Sequence, residues 1–496
     1  MTPTGFAFDN SYARDLPGFY VPWQPEPVAS PQLLFVNRPL AEELQLMLGD
    51  SGDTALAALF SGNALPDGAT PIAQAYAGHQ FGQFSPKLGD GRALLVGEVI
   101  DRHGRRRDIA FKGSGRTPFS RNGDGKAAIG PMLREVLIGE AMHALGIPTT
   151  RALAVVATGE TVRRDRPLPG ATLTRVAASH LRVGTFEFFA AHADAEQIRK
   201  LADYAIARHD PQLAAAENRY LGFLRAVAER QAALVARWMQ VGFIHGVMNT
   251  DNMSIPGETI DYGPCAFMEA YDPRAVFSSI DEMGRYAYDN QPNIARWNLA
   301  RFAETLLPLL ADDPQQAVAL ATEVIDAFPG RYRRHWLDGM RAKLGLAAGD
   351  DASDTALVDD WLTLLHTNAV DFTLAWRRLA DAAEGRPEPL QAMFVDRPKL
   401  NAWLARWQAR CAADDASEGH RARRAAAMRR TNPWLIPRNQ RVEEVLDAAS
   451  DRGDLAPFRQ LLEALRHPYD EHPEHARYAE PASGAFMAEF RTFCGT

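Results

Sequence analysis

Asn252 and Asp261 flank a Pro256-Gly257 dipeptide. An amide oxygen and a carboxylate so spaced suit a hard divalent cation, Mg2+ or Mn2+, rather than zinc. Upstream, Lys112 ends a strand-like run and Glu135 lies on the helix-like run that follows. In that order a strand lysine can hold phosphates while a helix glutamate fixes the lysine. Gly89 and Gly91, in "KLGDGR", let backbone N–H groups approach a phosphate with no Cβ in the way. A backbone cradle, a cation and metal-binding oxygens are what nucleoside triphosphate chemistry needs.

The stretch "HGVMNTDN", His245 to Asn252, carries the sharpest question. Kinase-type loops read His-Arg-Asp or His-Gly-Asp, then four residues, then Asn. His245, Gly246 and Asn252 keep that spacing, but Val247 stands where the catalytic Asp belongs. The following "DYG" matches the metal-binding Asp of kinase-like folds, with Tyr262 replacing the usual Phe. His245 is expected to be a buried hydrogen-bonding scaffold. A general base contributes roughly 10²–10⁴-fold, so without Asp at 247 an ordinary kinase reaction is severely slowed unless another group orients the hydroxyl.

The elements that must position these residues follow from periodicity. "ALLVGEVI", the turn "DRHGRRR" and "DIAFK" predict two strands, and "ALAVVATGETV" and "GATLTRVA" two more. Pro131 to Gly146 predicts a helix with Leu133, Val136, Leu137, Ala141 and Leu145 as its apolar stripe. Tyr220 through Trp238 step at helical spacing into Gly242. "NMSIPGETIDYG" predicts a hairpin that delivers Asp261. The expected organisation is an N-terminal segment over 1–70 packing on the core, a β-rich lobe with nucleotide loops over 71–183, a helical lobe with the catalytic loop over 184–290, and a helical extension over 291–496. The expected fold class is α+β, a β-rich lobe and a helical lobe with a mostly helical C-terminal extension; the protein-kinase-like two-lobed form of it is what the resemblance described below implies.

Bulk properties narrow the partners. A net charge of -8 argues against a general nucleic-acid binder, and no apolar run is long enough to span a bilayer. The N-terminus lacks the pattern of a secretory signal. The three cysteines, Cys265, Cys411 and Cys494, form no CxxC or disulfide framework, which favours a reducing compartment and a cytoplasmic location. Only six of the 54 basic residues are lysines, and three of them (Lys87, Lys112 and Lys126) fall in the glycine-rich region. A chain so biased toward Arg keeps Lys where a compact ammonium is useful.

Four blocks, "AQAYAGHQFGQFSPKLGDGR", "FKGSGRTPFSRNGDGKAAIGPMLREVLIGEAMHALGIPTTRALAVV", "HGVMNTDNMSI…IDYGPCAFMEAYDP" and "RYAYDNQP", closely resemble the selenoprotein O (YdiU-type) family. "NPWLIPRNQ" extends the resemblance along most of the chain. It implies a kinase-like fold that moves AMP from ATP onto protein Ser, Thr or Tyr hydroxyls, the chain itself included. The nucleotide is flipped, so that the α-phosphate meets the acceptor. By the same resemblance Gly89, Gly91 and Arg92 line the nucleotide, and Lys112, held by Glu135, contacts phosphates. Asp124, Gly125, Arg175 and Arg182 bind the rest of the triphosphate. Asn252 and Asp261 hold Mg2+ or Mn2+, and Asp251 is the proton acceptor. Cys494 sits where many members end in selenocysteine or cysteine, and a pairing with Cys265 is a further possibility. Other readings are UMP transfer from UTP with Mn2+, γ-phosphate transfer, and a non-catalytic ATP-binding scaffold. The Lys112, Glu135, Asn252 and Asp261 set disfavours the last, since a scaffold has no need of a metal site.

Overall fold

The computed structural model describes residues 5–49, 51–347, 349–414 and 419–493. Its organising element is an eight-stranded sheet in which every pairing is antiparallel. From one edge the order is Tyr20–Pro22, Ile72–Gln74, Ala93–Ile100, Arg106–Lys112, Pro167–Ala177, Arg151–Arg163 and Gln32–Val36. The two-residue strand Ala127–Ala128 pairs with Pro167–Ala177 off this path. All four strands predicted from alternation are present. The first seventy residues supply both edge strands.

Each face of the sheet has its own cover. Ile109, Leu153, Val156 and Val176 point to the side closed by the helices Arg38–Glu43 and Asp53–Ser61, with Leu40, Leu56 and Phe60. Leu95, Val155 and Leu173 join the larger core on the opposite side, with Leu133, Val136 and Leu137 of the helix Ile129–Ala144. Successive side chains of a strand alternate in direction. Ile109 faces the first cover, so Asp108, Ala110 and Lys112 face the second.

The helix Ile129–Ala144 begins two residues before Pro131 and ends, as predicted, beside Gly146 in the left-handed region (φ 75°). The helix Arg219–Val241 stops on Gly242, also left-handed (φ 73°), where a side chain would be strained. It delivers the chain directly into His245. Beyond residue 290 the described residues are helical, from Gln291–Leu310 through Gly484–Glu489, with one 3₁₀ turn at Pro473–His475.

The hairpin predicted over 252–263 is not formed. Its turn exists, with Ser254 Oγ accepting from Glu258 N at 2.8 Å and donating to Glu258 O at 2.6 Å. Its two arms pair elsewhere, Ser254 bridging Arg182 and Thr259 bridging Thr149. Each arm thereby satisfies its backbone against another element, and Asp261 is carried on a loop instead of a strand. The coarse α+β expectation stands: the chain is mixed, with an antiparallel sheet and many helices.

Candidate active site

The two glycine-rich loops are stitched together. Gly89 is left-handed (φ 66°), and a Cβ there would lie 2.2 Å from the Phe119 ring. Gly125 (φ 69°) would clash with the Gly115 carbonyl at 2.0 Å. Thr117 Oγ1 donates to Asp90 O at 2.6 Å, and Gly113 N donates to Arg92 O at 2.7 Å. Beneath the loops opens a cavity of about 970 Å³. Nine basic side chains line it, among them Arg92, Lys112, Arg164, Arg175 and Arg182, against the four acidic residues Asp90, Asp124, Asp251 and Asp261. In a chain of net charge -8 this surplus marks a site for a polyanion.

At the cavity floor Lys112 Nζ donates to Glu135 Oε1 and to Asp261 Oδ1, both at 2.7 Å. Arg175 Nη1 reaches the same Asp261 oxygen at 2.6 Å, and Arg182 Nη1 lies 4.0 Å from the other. Burial opposes ionisation of Asp261, but Lys112, Arg175 and Arg182 outweigh it and hold the carboxyl well below its usual range. Asp261 is also left-handed (φ 64°), an uncommon conformation for a non-glycine residue that the three cations help to enforce.

Asp251 is the opposite case. Burial pushes it up to about 7 against the pull of Arg182, and its Oδ1 has no hydrogen-bond partner. Arg182 stacks on the Tyr76 ring at 4.3 Å and donates to the Asp251 carbonyl at 3.2 Å, fixing the backbone while leaving the carboxyl unengaged. Asn252 Nδ2 donates to Val247 O at 2.9 Å, which turns the amide oxygen away from that carbonyl. Asn252 Oδ1 and the Asp261 carboxylate are the hard donors a divalent cation would use. Among the described residues no three His, Cys, Asp or Glu are gathered for a metal. A cation held here takes the rest of its shell from phosphate and water, as Mg2+ commonly does. The donor set fits.

Every site residue expected from the sequence lines this cavity except Glu135, which reaches it through Lys112. His245 is buried and bonds through Nε2 to Ile260 O at 2.9 Å, tying its loop to the residue before Asp261. The Asp124 carboxylate is engaged by Arg164 at 2.8 and 3.2 Å, so it presents that guanidinium at the wall. Sequence reading missed Arg164, Asp90 and Glu187. Glu187 accepts from Thr250 Oγ1 at 2.5 Å, pairs with His79 at 2.5 Å, and so braces the turn before Asp251. No local motif signals it. Cys265 is buried, its thiol pushed up to about 11 by burial and bonded to Tyr262 O at 3.4 Å. Its suggested partner, Cys494, lies outside the described residues.

Paired glycine loops, a clamped lysine–glutamate pair and a cavity rich in positive charge beside an unpaired carboxyl oxygen are features of a nucleotide-dependent transferase. The comparisons with known proteins agree. The family model described as "Protein adenylyltransferase SelO" matches residues 5–466. A protein of Chromobacterium violaceum named "Protein nucleotidyltransferase YdiU" is 62% identical over 97% of this chain and 100% of its own. Proteins of the same name from Cereibacter sphaeroides and Agrobacterium fabrum are 61% and 55% identical, each over 99% of this chain and over 100% and 99% of their own. The chain belongs to the SelO/YdiU family of nucleotidyltransferases. Among the described residues no helix is long and apolar enough to cross a membrane.

Proposed function

We propose that the protein is a metal-dependent adenylyltransferase that moves AMP from ATP onto Ser, Thr or Tyr hydroxyls of proteins, itself among them. The observation that carries this reading is a strong surplus of positive charge around one unpaired, buried carboxyl, that of Asp251. AMP transfer expels pyrophosphate, which carries more charge than the ADP a kinase releases. Lys112, set by Glu135, and Arg175 and Arg182 meet that charge. Gly89, Gly91 and Arg92 line the nucleotide, and Asp124 and Gly125 join Arg175 and Arg182 around the rest of the triphosphate. Asn252 and Asp261 would hold Mg2+ or Mn2+, which when bound offsets charge on the phosphates.

The acceptor hydroxyl oxygen bonds to the α-phosphorus and its proton passes to Asp251 Oδ1. The bond from the α-phosphorus to the bridging oxygen breaks, and pyrophosphate leaves toward the arginines. Val247 then marks a change in which phosphate reacts. The kinase-like two-lobed description, with divisions near 70, 183 and 290, and residence in the cytoplasm belong to the same proposal.

The test uses ATP labelled separately at α and γ, and UTP labelled at α, with Mg2+ or Mn2+ and the protein as first acceptor. Covalent label from α-ATP alone is expected. Label from γ would make the protein a kinase, no label a scaffold, and preferred UMP incorporation would overturn the choice of nucleotide.

A further inference from the structure

Arg175 touches the cavity with only one end of its guanidinium. On the sheet it stands opposite Ala110, between Asp108 and Lys112 of the neighbouring strand and on their face. Its Nη1 donates to Asp261, while its Nε donates to His180 Nε2 at 3.2 Å. The other ring nitrogen of His180, Nδ1, lies 2.9 Å from Asp108 Oδ2, which also accepts the His180 backbone N–H at 2.8 Å. Asp108 Oδ1 accepts from Arg208 Nη2 at 2.5 Å. Asp108, Arg175 and His180 are each at most 4% exposed, so water cannot replace a lost partner.

We propose that Asp108 and His180 are positioning residues for nucleotidyl transfer, which orient Arg175 so that its free end faces Asp261 and the phosphates. The donors dictate the tautomer. Arg175 Nε–H needs an acceptor, so His180 Nε2 is bare; the single ring proton is then on Nδ1, where the Asp108 carboxylate accepts it. A protonated imidazole would set N–H against N–H and release the arginine. Burial holds His180 down to about 4, in keeping with a neutral ring at working pH. The logic is that of carboxylate–histidine pairs that orient a metal ligand, here carried one step further through an arginine.

The inference rests on the function proposed above, and its test separates the two. In ¹⁵N-histidine spectra of the whole protein near neutral pH, which need no nucleotide, His180 is expected as the Nδ1–H tautomer. An Nε2–H tautomer or an imidazolium overturns the relay. The second arm measures binding of α,β-methylene-ATP with Mn2+ by calorimetry, alongside transfer from α-labelled ATP. His180→Phe keeps the ring volume but removes the acceptor, and should lower affinity and kcat by about 10–100-fold. His180→Gln restores an acceptor toward Arg175 and should recover most of both at equal folded fraction. Wild-type behaviour of folded His180→Phe, or equal loss in both variants, overturns the relay. A wild-type protein that binds but transfers no AMP overturns only the functional reading, and leaves the relay decided by tautomer and affinity.

Discussion

Two regions of this molecule bury charge, and they do so differently. In the helical region Asp354 sits between two arginines, Oδ2 accepting from Arg341 Nε at 2.7 Å and Oδ1 from Arg410 Nε at 2.8 Å. Within this cluster every formal charge has a partner, Arg341 also pairing with Asp351 and Arg410 with Asp414, and it ties the helices Pro314–Leu344, Asp351–Thr367 and Arg397–Ala413 together. Around the cavity the balance is broken: nine basic groups face four acidic ones, and the Asp251 carboxyl accepts nothing at Oδ1. Leaving buried polar groups unpaired is costly. The same residue types therefore hold the fold where they cancel, and wait for a ligand where they do not.

The sharpest way to break that contrast is Asp261→Ala, which should reduce AMP transfer to background; a variant that keeps full turnover removes the cation site from the argument. Next, Asp251→Asn should lower kcat by roughly 10²–10⁴-fold while α,β-methylene-ATP still binds within a few-fold of wild type. Loss of binding instead would make Asp251 part of the nucleotide cradle.

Asp354→Asn should do the reverse. It takes a shared carboxylate charge from the buried Arg341 and the part-exposed Arg410, which keep Asp351 and Asp414, so it should cost about 1–3 kcal/mol of stability in urea titrations, with kcat of the folded fraction unchanged. A selective loss of turnover would erase the distinction between the regions.

The smallest effect concerns pH. Folded His180, facing Asp108, Arg175 and Arg182, is depressed to about 4 from its ordinary 6.5, because burial disfavours the charged ring. Its contribution is complete above pH 6.5 and is lost as the pH falls toward 4, where the unfolded chain takes up a proton that the folded chain refuses. Asp251 and Glu258, raised to about 7 by burial, titrate in the opposite sense. The quantity to measure is therefore the stability difference between wild type and His180→Phe. It should shrink by about 1.4 kcal/mol per pH unit below 6.5. A difference that stays flat to pH 5 means the ring is not held neutral.

Much of the site was legible because its parts are local. Lys112 closes a predicted strand, Glu135 sits on the predicted helix, and Asn252 and Asp261 follow motif spacing; the folded chain brings all four to one cavity or its wall. The hairpin was misread because turn residues at 254–258 are real, yet nothing local says that their arms prefer Arg182 and Thr149 to each other. Glu187 and Arg164 escaped for a related reason. Each acts through a partner distant in sequence, Thr250 and Asp124, and an isolated acid or base carries no spacing signal.

The sequence alone determined the chemical inventory: paired glycines, a strand lysine, a helix glutamate, an Asn–Asp pair and a kinase-type loop spacing with Val in place of the usual Asp. These are short-range features, fixed by turn conformation and strand and helix periodicity. Only the tertiary structure decided which carboxyl stays unpaired and which is clamped. Asp251 and Asp261 are the same residue type ten positions apart. One has a buried Oδ1 with no partner, and the other is gripped by Lys112 and Arg175, with Arg182 close by. That difference comes from strand register and helix packing, which set distances between groups far apart in the chain.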